Sequence, residues 1–266
     1  MPIIRNSHLI YTVQPGDTLY SIANKLGSTI PLIEQSNALY PPITDPGLIY
    51  PGQVLIVSKL GGHQVKQIVA PGDSLYRYAQ RYSTNPDSLQ GINPQLGDPT
   101  FVYVNQALLV PAFVYEVAQR DTLTKIANRF GLSLTALLEA NRERPGLSPD
   151  VIYPGFRLII PLPSSANIVV FRPLPSTTLR EGQRLRGFAR AFEGTVLYRI
   201  IDDNDQVVTK EKSMQASAGG PAFGSFSTSI NFDRSPSTTE GEIWVYTRSA
   251  RDGSIQDLVQ VKALFE

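Results

Sequence analysis

Val13-Gln14-Pro15-Gly16-Asp17-Thr18-Leu19 recurs as Val69-Ala70-Pro71-Gly72-Asp73-Ser74-Leu75 and again as Val117-Ala118-Gln119-Arg120-Asp121-Thr122-Leu123. Repetition in one frame points to a single supersecondary unit used three times in tandem. Counting 20 residues on from each aspartate reaches Asn37, Asn93 and Asn141, so the stretch between has a fixed length. Beyond these lie Ile49-Tyr50-Pro51-Gly52-Gln53, Val102-Tyr103-Val104-Asn105-Gln106 and Ile152-Tyr153-Pro154-Gly155-Phe156, each followed by an apolar run. Their distance from the asparagine varies, which places a loop of variable length before them.

The periodicities predict a β-α-α-β unit. Segments 10–13, 68–69 and 114–117 run into a Pro/Gly or polar turn, as a short strand does. Asp17, Asp73 and Asp121 are of the type that accepts hydrogen bonds from free amides at a helix start and complements its dipole. Apolar residues then follow at helical spacing, Leu19, Ile22, Ala23 and Leu26 in the first unit. Thr29, Asn85 and Ser133 stand at one common offset and are capping residues, which predicts where the second helix begins. Gly52, Asn105 and Gly155 share a turn and are of the two types that best tolerate a left-handed backbone. Segments 54–57, 107–110 and 157–160 close the unit as its second strand.

This frame resembles the LysM family over residues 9–57, 66–111 and 114–161. The resemblance implies a shallow groove for an N-acetylglucosamine-containing glycan, between the loop after the first strand and the loop between the second helix and the second strand. Carried over residue by residue, it implies Gly16, Asp17, Thr18, Leu19, Ala38, Leu39, Ile49 and Tyr50 in the first repeat. In the second it implies Gly72, Asp73, Ser74, Leu75, Pro94, Gln95, Val102 and Tyr103, and in the third Asp121, Thr122, Leu123, Arg142, Ile152 and Tyr153. An acetamido sugar offers an amide donor, a carbonyl acceptor, hydroxyls and a methyl, which backbone groups and a small apolar pocket can match. A structural reading of the same residues competes. In it the aspartates cap helices, the asparagines tie the loop to the helix end, and Tyr50, Tyr103 and Tyr153 pack in the core. Arg120 stands where the other repeats have glycine, so the third groove is expected to be altered or blocked. Val104-Asn105 replaces the Pro-Gly of the other repeats, keeping the turn without its rigidity. The composition of 58–64 predicts a flexible join between repeats one and two, whereas Pro111-Ala112-Phe113 leaves little slack and predicts two and three packed as a block.

After residue 165 the pattern becomes short alternating segments, such as Phe226-Ser227-Thr228-Ser229-Ile230-Asn231-Phe232. Further strands are expected over 168–171, 184–189, 196–201, 206–209, 243–247 and 258–265, enough for a β-sandwich. Gly187-Phe188-Ala189-Arg190-Ala191-Phe192-Glu193-Gly194-Thr195-Val196, with Phe223-Gly224-Ser225-Phe226 and Ser249-Ala250-Arg251-Asp252-Gly253, resembles the immunoglobulin-like domain of bacterial spore-germination proteins over 166–266. The fold class expected is therefore multidomain: three small α+β modules and a C-terminal all-β immunoglobulin-like sandwich. Asp202-Asp203-Asn204-Asp205 lacks the glycine and distal glutamate of a calcium loop and reads as a hairpin turn. Arg184, Arg186 and Arg190 share one face, read as solvated rather than as a site for an acidic partner.

Composition narrows the function. Lys plus Arg number 24 against 23 Asp plus Glu, so no one-signed field recruits nucleic acid or anionic lipid, and recognition is expected to be short-range. Cysteine is absent, which excludes thiolate nucleophiles and thiolate metal ligands, and the two histidines, His8 and His63, are few for a zinc hydrolase. No metal or other cofactor is expected. No apolar run has the length of a spanning helix, and 1–9 has none of signal-peptide length. The leading expectation is non-catalytic binding of peptidoglycan, or of chitin-type glycan, at the cell envelope or spore surface, outside the cytoplasm. The competing ones are an envelope or spore-coat scaffold whose sandwich binds a protein partner, and a wall hydrolase using paired carboxylates.

Overall fold

The structure, a computed structural model, describes every residue except 1, 2, 5, 46, 60 and 98–100. It divides into two compact units. The first comprises Met1–Ser83, Gln95–Asn128 and Ser133–Pro161, and the second Thr84–Pro94, Arg129–Leu132 and Leu162–Glu266.

The β-α-α-β order occurs three times: β1 (Ser7–Thr12), α1 (Leu19–Leu26), α2 (Ile30–Asn37) and β2 (Val54–Lys59); β3 (Val65–Ile68), α3 (Leu75–Arg81), α4 (Pro86–Gly91) and β4 (Ala107–Leu109); β5 (Ala112–Glu116), α5 (Leu123–Phe130), α6 (Leu134–Ala140) and β6 (Arg157–Pro161). The opening strands begin two to three residues earlier than the alternation suggests: His8 of β1 pairs with Val65 of β3 across repeats, whereas Ala112 at the start of β5 pairs with Pro161 of its own repeat. The helix faces are as the spacing predicts: Leu19, Ile22, Ala23 and Leu26 are buried, as are Leu75, Tyr78, Ala79 and Tyr82 in the second repeat.

The helix starts differ from expectation by one residue. The cap of α1 is Thr18, whose hydroxyl accepts from Ser21 N at 3.0 Å while Ser21 Oγ accepts from Thr18 N at 2.9 Å, a reciprocal capping box. Ser74 and Thr122 accept in the same way from Arg77 N and Lys125 N. Asp17, Asp73 and Asp121 serve the preceding turn instead, as shown below. Thr29, Asn85 and Ser133 cap α2, α4 and α6, accepting from Leu32 N, Ser88 N and Ala136 N.

Within the first unit, β1 pairs antiparallel with β2, from Ser7↔Lys59 to Thr12↔Val54, and parallel with β3, from His8↔Val65 to Ile10↔Gln67. Repeats one and two therefore share one four-stranded sheet, in the order β2-β1-β3-β4. This corrects the flexible join read from 58–64. An open strand edge is a row of unpaired amides and carbonyls, and it holds the glycine-rich link in place, with Ser7 N donating to Gly61 O at 3.1 Å and His8 N to Gln64 O at 2.9 Å. Leu60 of that link lies outside the described residues.

Repeat three packs against repeat one through two buried arginines. Arg144 donates to Asn37 Oδ1, to Ser36 O at 3.2 Å and to Arg157 O at 2.8 Å. Arg157 donates to Ser36 Oγ at 2.8 Å and pairs with Glu116 at 3.2 Å. Ser36 and Ser58 share a 2.7 Å hydrogen bond, and Ser58 also meets His8 Nδ1 at 3.0 Å. Repeat three is thus tied to repeat one through polar groups that carry no hydropathy signal, while the block expected for repeats two and three is interrupted, since 84–94 of the one and 129–132 of the other fall in the second unit.

The second unit is built on two sheets, β11-β10-β13-β14-β8 and β12-β9-β7. Their strands are β7 (Ile168–Arg172), β8 (Thr177–Thr178), β9 (Arg184–Ala189), β10 (Thr195–Asp202), β11 (Val207–Gln215), β12 (Gly224–Ser229), β13 (Glu240–Arg248) and β14 (Ile255–Leu264). Alternating residues Val196, Tyr198 and Ile200 of β10 and Ile243 and Val245 of β13 fill the core between them. Asp202 closes the β10–β11 turn. Its buried carboxylate accepts from Asn204 N and Gln206 N and from both the amide and hydroxyl of Ser237. Burial works against ionisation there, but those four donors outweigh it and hold the carboxyl below its usual range. Arg184 and Arg186 are exposed, while Arg190 is half-buried, pairing with Asp87 at 3.3 Å and Asn167 at 2.7 Å. No helix is long and apolar enough to cross a membrane, and no cluster of metal-ligating side chains occurs, among the described residues.

Candidate functional site

Each repeat brings two turns side by side by one hydrogen-bond pattern. Val13 N donates to Gln53 O and Gly52 N to Val13 O, and the same pair of bonds joins Val69 to Gln106 and Asn105, and Val117 to Phe156 and Gly155. This sets the turn after the opening strand against the Tyr-containing turn before the closing one. The second turn needs a positive φ, met by Gly52 at 90°, Asn105 at 69° and Gly155 at 86°.

The aspartate shapes the first turn from within. Asp17 Oδ2 accepts from Gln14 N at 2.7 Å and from the Tyr11 hydroxyl at 2.7 Å, and Asp121 accepts likewise from Ala118 N and Tyr115. In repeat two the strand position of Tyr11 is taken by Gln67, and the phenol comes from the helix instead, Tyr78 donating to Asp73. Gln67 then receives the hydroxyl of Tyr82 at 2.7 Å. Burial, with the adjoining carboxylate, pushes the phenols of Tyr11 and Tyr78 above their usual value, so each remains a donor to its aspartate at neutral pH.

The asparagines are wholly structural. Asn37 donates to Ile33 O and Ile56 O and accepts from Ile56 N, and Asn141 does the same with Leu137 and Ile159. Asn93 is buried and donates to Leu89 O.

The residues expected in the grooves separate by exposure. Leu19, Ala38, Leu39, Leu75 and Leu123 are buried, so their side chains are not open to a ligand and they offer backbone alone. Asp17, Asp73 and Asp121 are engaged by their own turns. Ser74, Ile49, Val102 and Ile152 are half-buried. Gly16, Thr18, Gly72, Pro94, Gln95, Thr122 and Arg142 are exposed. Within the two longer loops, Pro46 and residues 98–100 lie outside the described residues. The core-packing alternative for the tyrosines is corrected: Tyr50 is 55% exposed, Tyr103 72% and Tyr153 39%. The residue after each Tyr-Pro-Gly-type turn explains part of this. Gln53 and Gln106 accept from Tyr50 N and Tyr103 N with their side-chain oxygens, which fixes the tyrosine backbone at the surface.

Two aromatic residues escaped the sequence reading. Tyr20 and Tyr76, each directly after the first leucine of its helix, are 68% and 63% exposed. Their signal was a tyrosine lying off the apolar face of a short amphipathic helix, where packing demands none. Repeat three has Thr124 there, and its Arg120 takes a left-handed φ of 67° where Gly16 and Gly72 have 84° and 79°. A Cβ at those glycines meets nothing within 4 Å, so the Arg120 side chain is accommodated outside the fold, at an exposed position.

The LysM domain family matches residues 11–58, 68–111 and 115–161. The chain belongs to the LysM family. Residues 167–254 match a second family, the immunoglobulin-like domain of bacterial spore germination, in the unit that carries the sandwich. LysM membership supports binding to peptidoglycan. Among relatives of this LysM chain, "Putative sporulation-specific glycosylase YdhD" of Bacillus subtilis is 43% identical over 35% of this chain and 21% of its own length. "N-acetylmuramoyl-L-alanine amidase sle1" of Staphylococcus aureus is 27% identical over 61% of this chain and 55% of that protein. The crystal structure of the Bacillus cereus spore cortex-lytic enzyme SleL shares 39% identity, covering 39% of this chain and 22% of that one, with a TM-score of 0.29. The chain thus spans between about a fifth and somewhat over half the length of these curated relatives. The expectation of a protein outside enzymology does not stand beside them, since the relatives are named as a glycosylase and an amidase.

Proposed function

We propose that this LysM chain attaches to N-acetylglucosamine-containing wall glycan, peptidoglycan foremost, through the grooves of its first and second repeats, outside the cytoplasm. The observation that carries this reading is the exposure of two tyrosines in each of those repeats, Tyr20 and Tyr50 in the first and Tyr76 and Tyr103 in the second. An exposed ring with an apolar face and a hydroxyl suits a sugar, which has both C–H and O–H surfaces. The third repeat keeps Tyr153 but has Thr124 and Arg120 on its other wall, and contributes less. Two grooves on a repetitive polymer act together, because the second contact forms at an effective concentration of roughly millimolar.

Sedimentation of the full chain with insoluble peptidoglycan and with chitin tests it. Retention is expected on peptidoglycan, and Tyr20→Ala with Tyr50→Ala weakens it roughly 30-fold, at about 1 kcal/mol per ring. Retention on neither polymer would overturn the reading. The names of the relatives favour a second reading, in which attachment serves cutting of the wall. Soluble sugar or free amino groups released during the same incubation support it, and retained polymer without release refutes it.

A further inference from the structure

Where its three repeats meet, the first unit holds a cleft of about 520 Å³. Gln14 of repeat one, Arg77 and Arg81 of repeat two, and Glu139, Arg142 and Glu143 of repeat three line it. With Asp73, the lining has three guanidinium groups and three carboxylates, balanced in charge and loosely paired. Arg77 stands 4.0 Å from Asp73, and Arg142 is 3.8 Å from Glu139 and 3.7 Å from Glu143. Arg81 Nη2 approaches Glu143 at 3.3 Å, while its Nη1 is buried with no hydrogen-bond partner. Exposed pairs at such distances contribute little, so a ligand that presents its own charges displaces them at small cost.

The cleft is unlike the grooves. Its one aromatic residue is Tyr78, which is buried and commits its hydroxyl to Asp73, and the exposed Tyr20, Tyr50, Tyr76 and Tyr103 lie outside it. A sugar ring finds no platform here, whereas a short chain bearing both carboxylates and an amine finds both partners. Gln14 and Asp73 belong to the turns that begin the grooves of repeats one and two, so the cleft adjoins the first walls of both. We propose that it binds the zwitterionic peptide that peptidoglycan strands carry, with the peptide carboxylates on Arg77 and Arg142 and its amine toward Glu139 and Glu143. The proposal rests on the reading that the neighbouring grooves hold the glycan.

The test is a calorimetric titration of the full chain with three probes: the tripeptide L-Ala-γ-D-Glu-meso-diaminopimelate, an all-L Ala-Glu-Lys peptide, and an N-acetylglucosamine pentasaccharide. The stem tripeptide is expected to bind saturably and the all-L peptide more weakly. Arg77→Gln with Glu139→Gln, both with side chains open to solvent and neither in a groove, weakens the tripeptide roughly tenfold by removing charge-assisted hydrogen bonds and leaves the pentasaccharide unaffected. No tripeptide binding while the pentasaccharide binds, an unchanged tripeptide affinity in the double variant, or equal binding of the all-L peptide each overturns the proposal. Tripeptide binding without pentasaccharide binding supports the cleft and removes the groove reading instead.

Discussion

His8 shows how much one buried residue depends on its surroundings. It is enclosed in the first unit, with Nδ1 on Ser58, and Arg157 and Arg144 near enough to oppose a positive charge. Burial first, then those two arginines, outweigh a hydrogen bond to the Ile4 backbone and push the imidazole down to about 4. The unfolded chain takes up the proton near pH 6.5, so between about 6.5 and 4 it binds a proton that the folded chain refuses. Stability is therefore complete above that window and falls as pH drops through it, by roughly 2.5 kcal/mol between pH 7 and 4.5. Urea unfolding of His8→Gln should show that part of the acid loss missing, while an identical loss in both proteins would remove His8 from the account. Arg144 poses the opposite problem, a cation that burial and the neighbouring arginines push down to about 9. Arg144→Ala leaves the carbonyls of Ser36 and Arg157 without a donor, and an unfolding midpoint reflecting a loss of about 2–4 kcal/mol is expected by calorimetry.

At the scale of the element, what repeats is a hydrogen-bonding scheme rather than a set of residues. The turn aspartate takes a phenol from the strand in repeats one and three and from the helix in repeat two, with Gln67 and Tyr82 making up the difference. Short helices of seven or eight residues depend on their ends, because propagation adds little over such a length. Thr18→Ala removes the hydroxyl half of the capping box of α1 and should cost about 1 kcal/mol, read as a lower urea midpoint with an unchanged slope. Thr18→Ser keeps the acceptor and should restore most of it; equal losses in both would mean that the cap contributes nothing.

Over the whole molecule, the number of units and their internal architecture were legible in the sequence. An aspartate and an asparagine at one spacing, apolar residues on one helical face, and Gly or Asn at a left-handed turn are local demands that any copy of the repeat must meet. Exposure of the groove residues was legible only in part: Ala38 and Leu39 occupy groove positions by resemblance, but the left-handed residue at the end of α2 turns them inward. Tyr20 and Tyr76 carried a signal, as rings on the polar side of a helix, that the motif itself does not mark. The sequence alone therefore determined the repeat, its helices and strands, and the change to an all-β domain after residue 165. Tertiary structure alone decided that β3 joins the edge of β1, that Arg144 reaches into repeat one to meet Asn37, and that a charged cleft opens where three repeats meet. Pairing along a strand edge is made by backbone, which has the same chemistry at every residue. A buried arginine is written exactly like a surface one, until the chain places a carbonyl beside it.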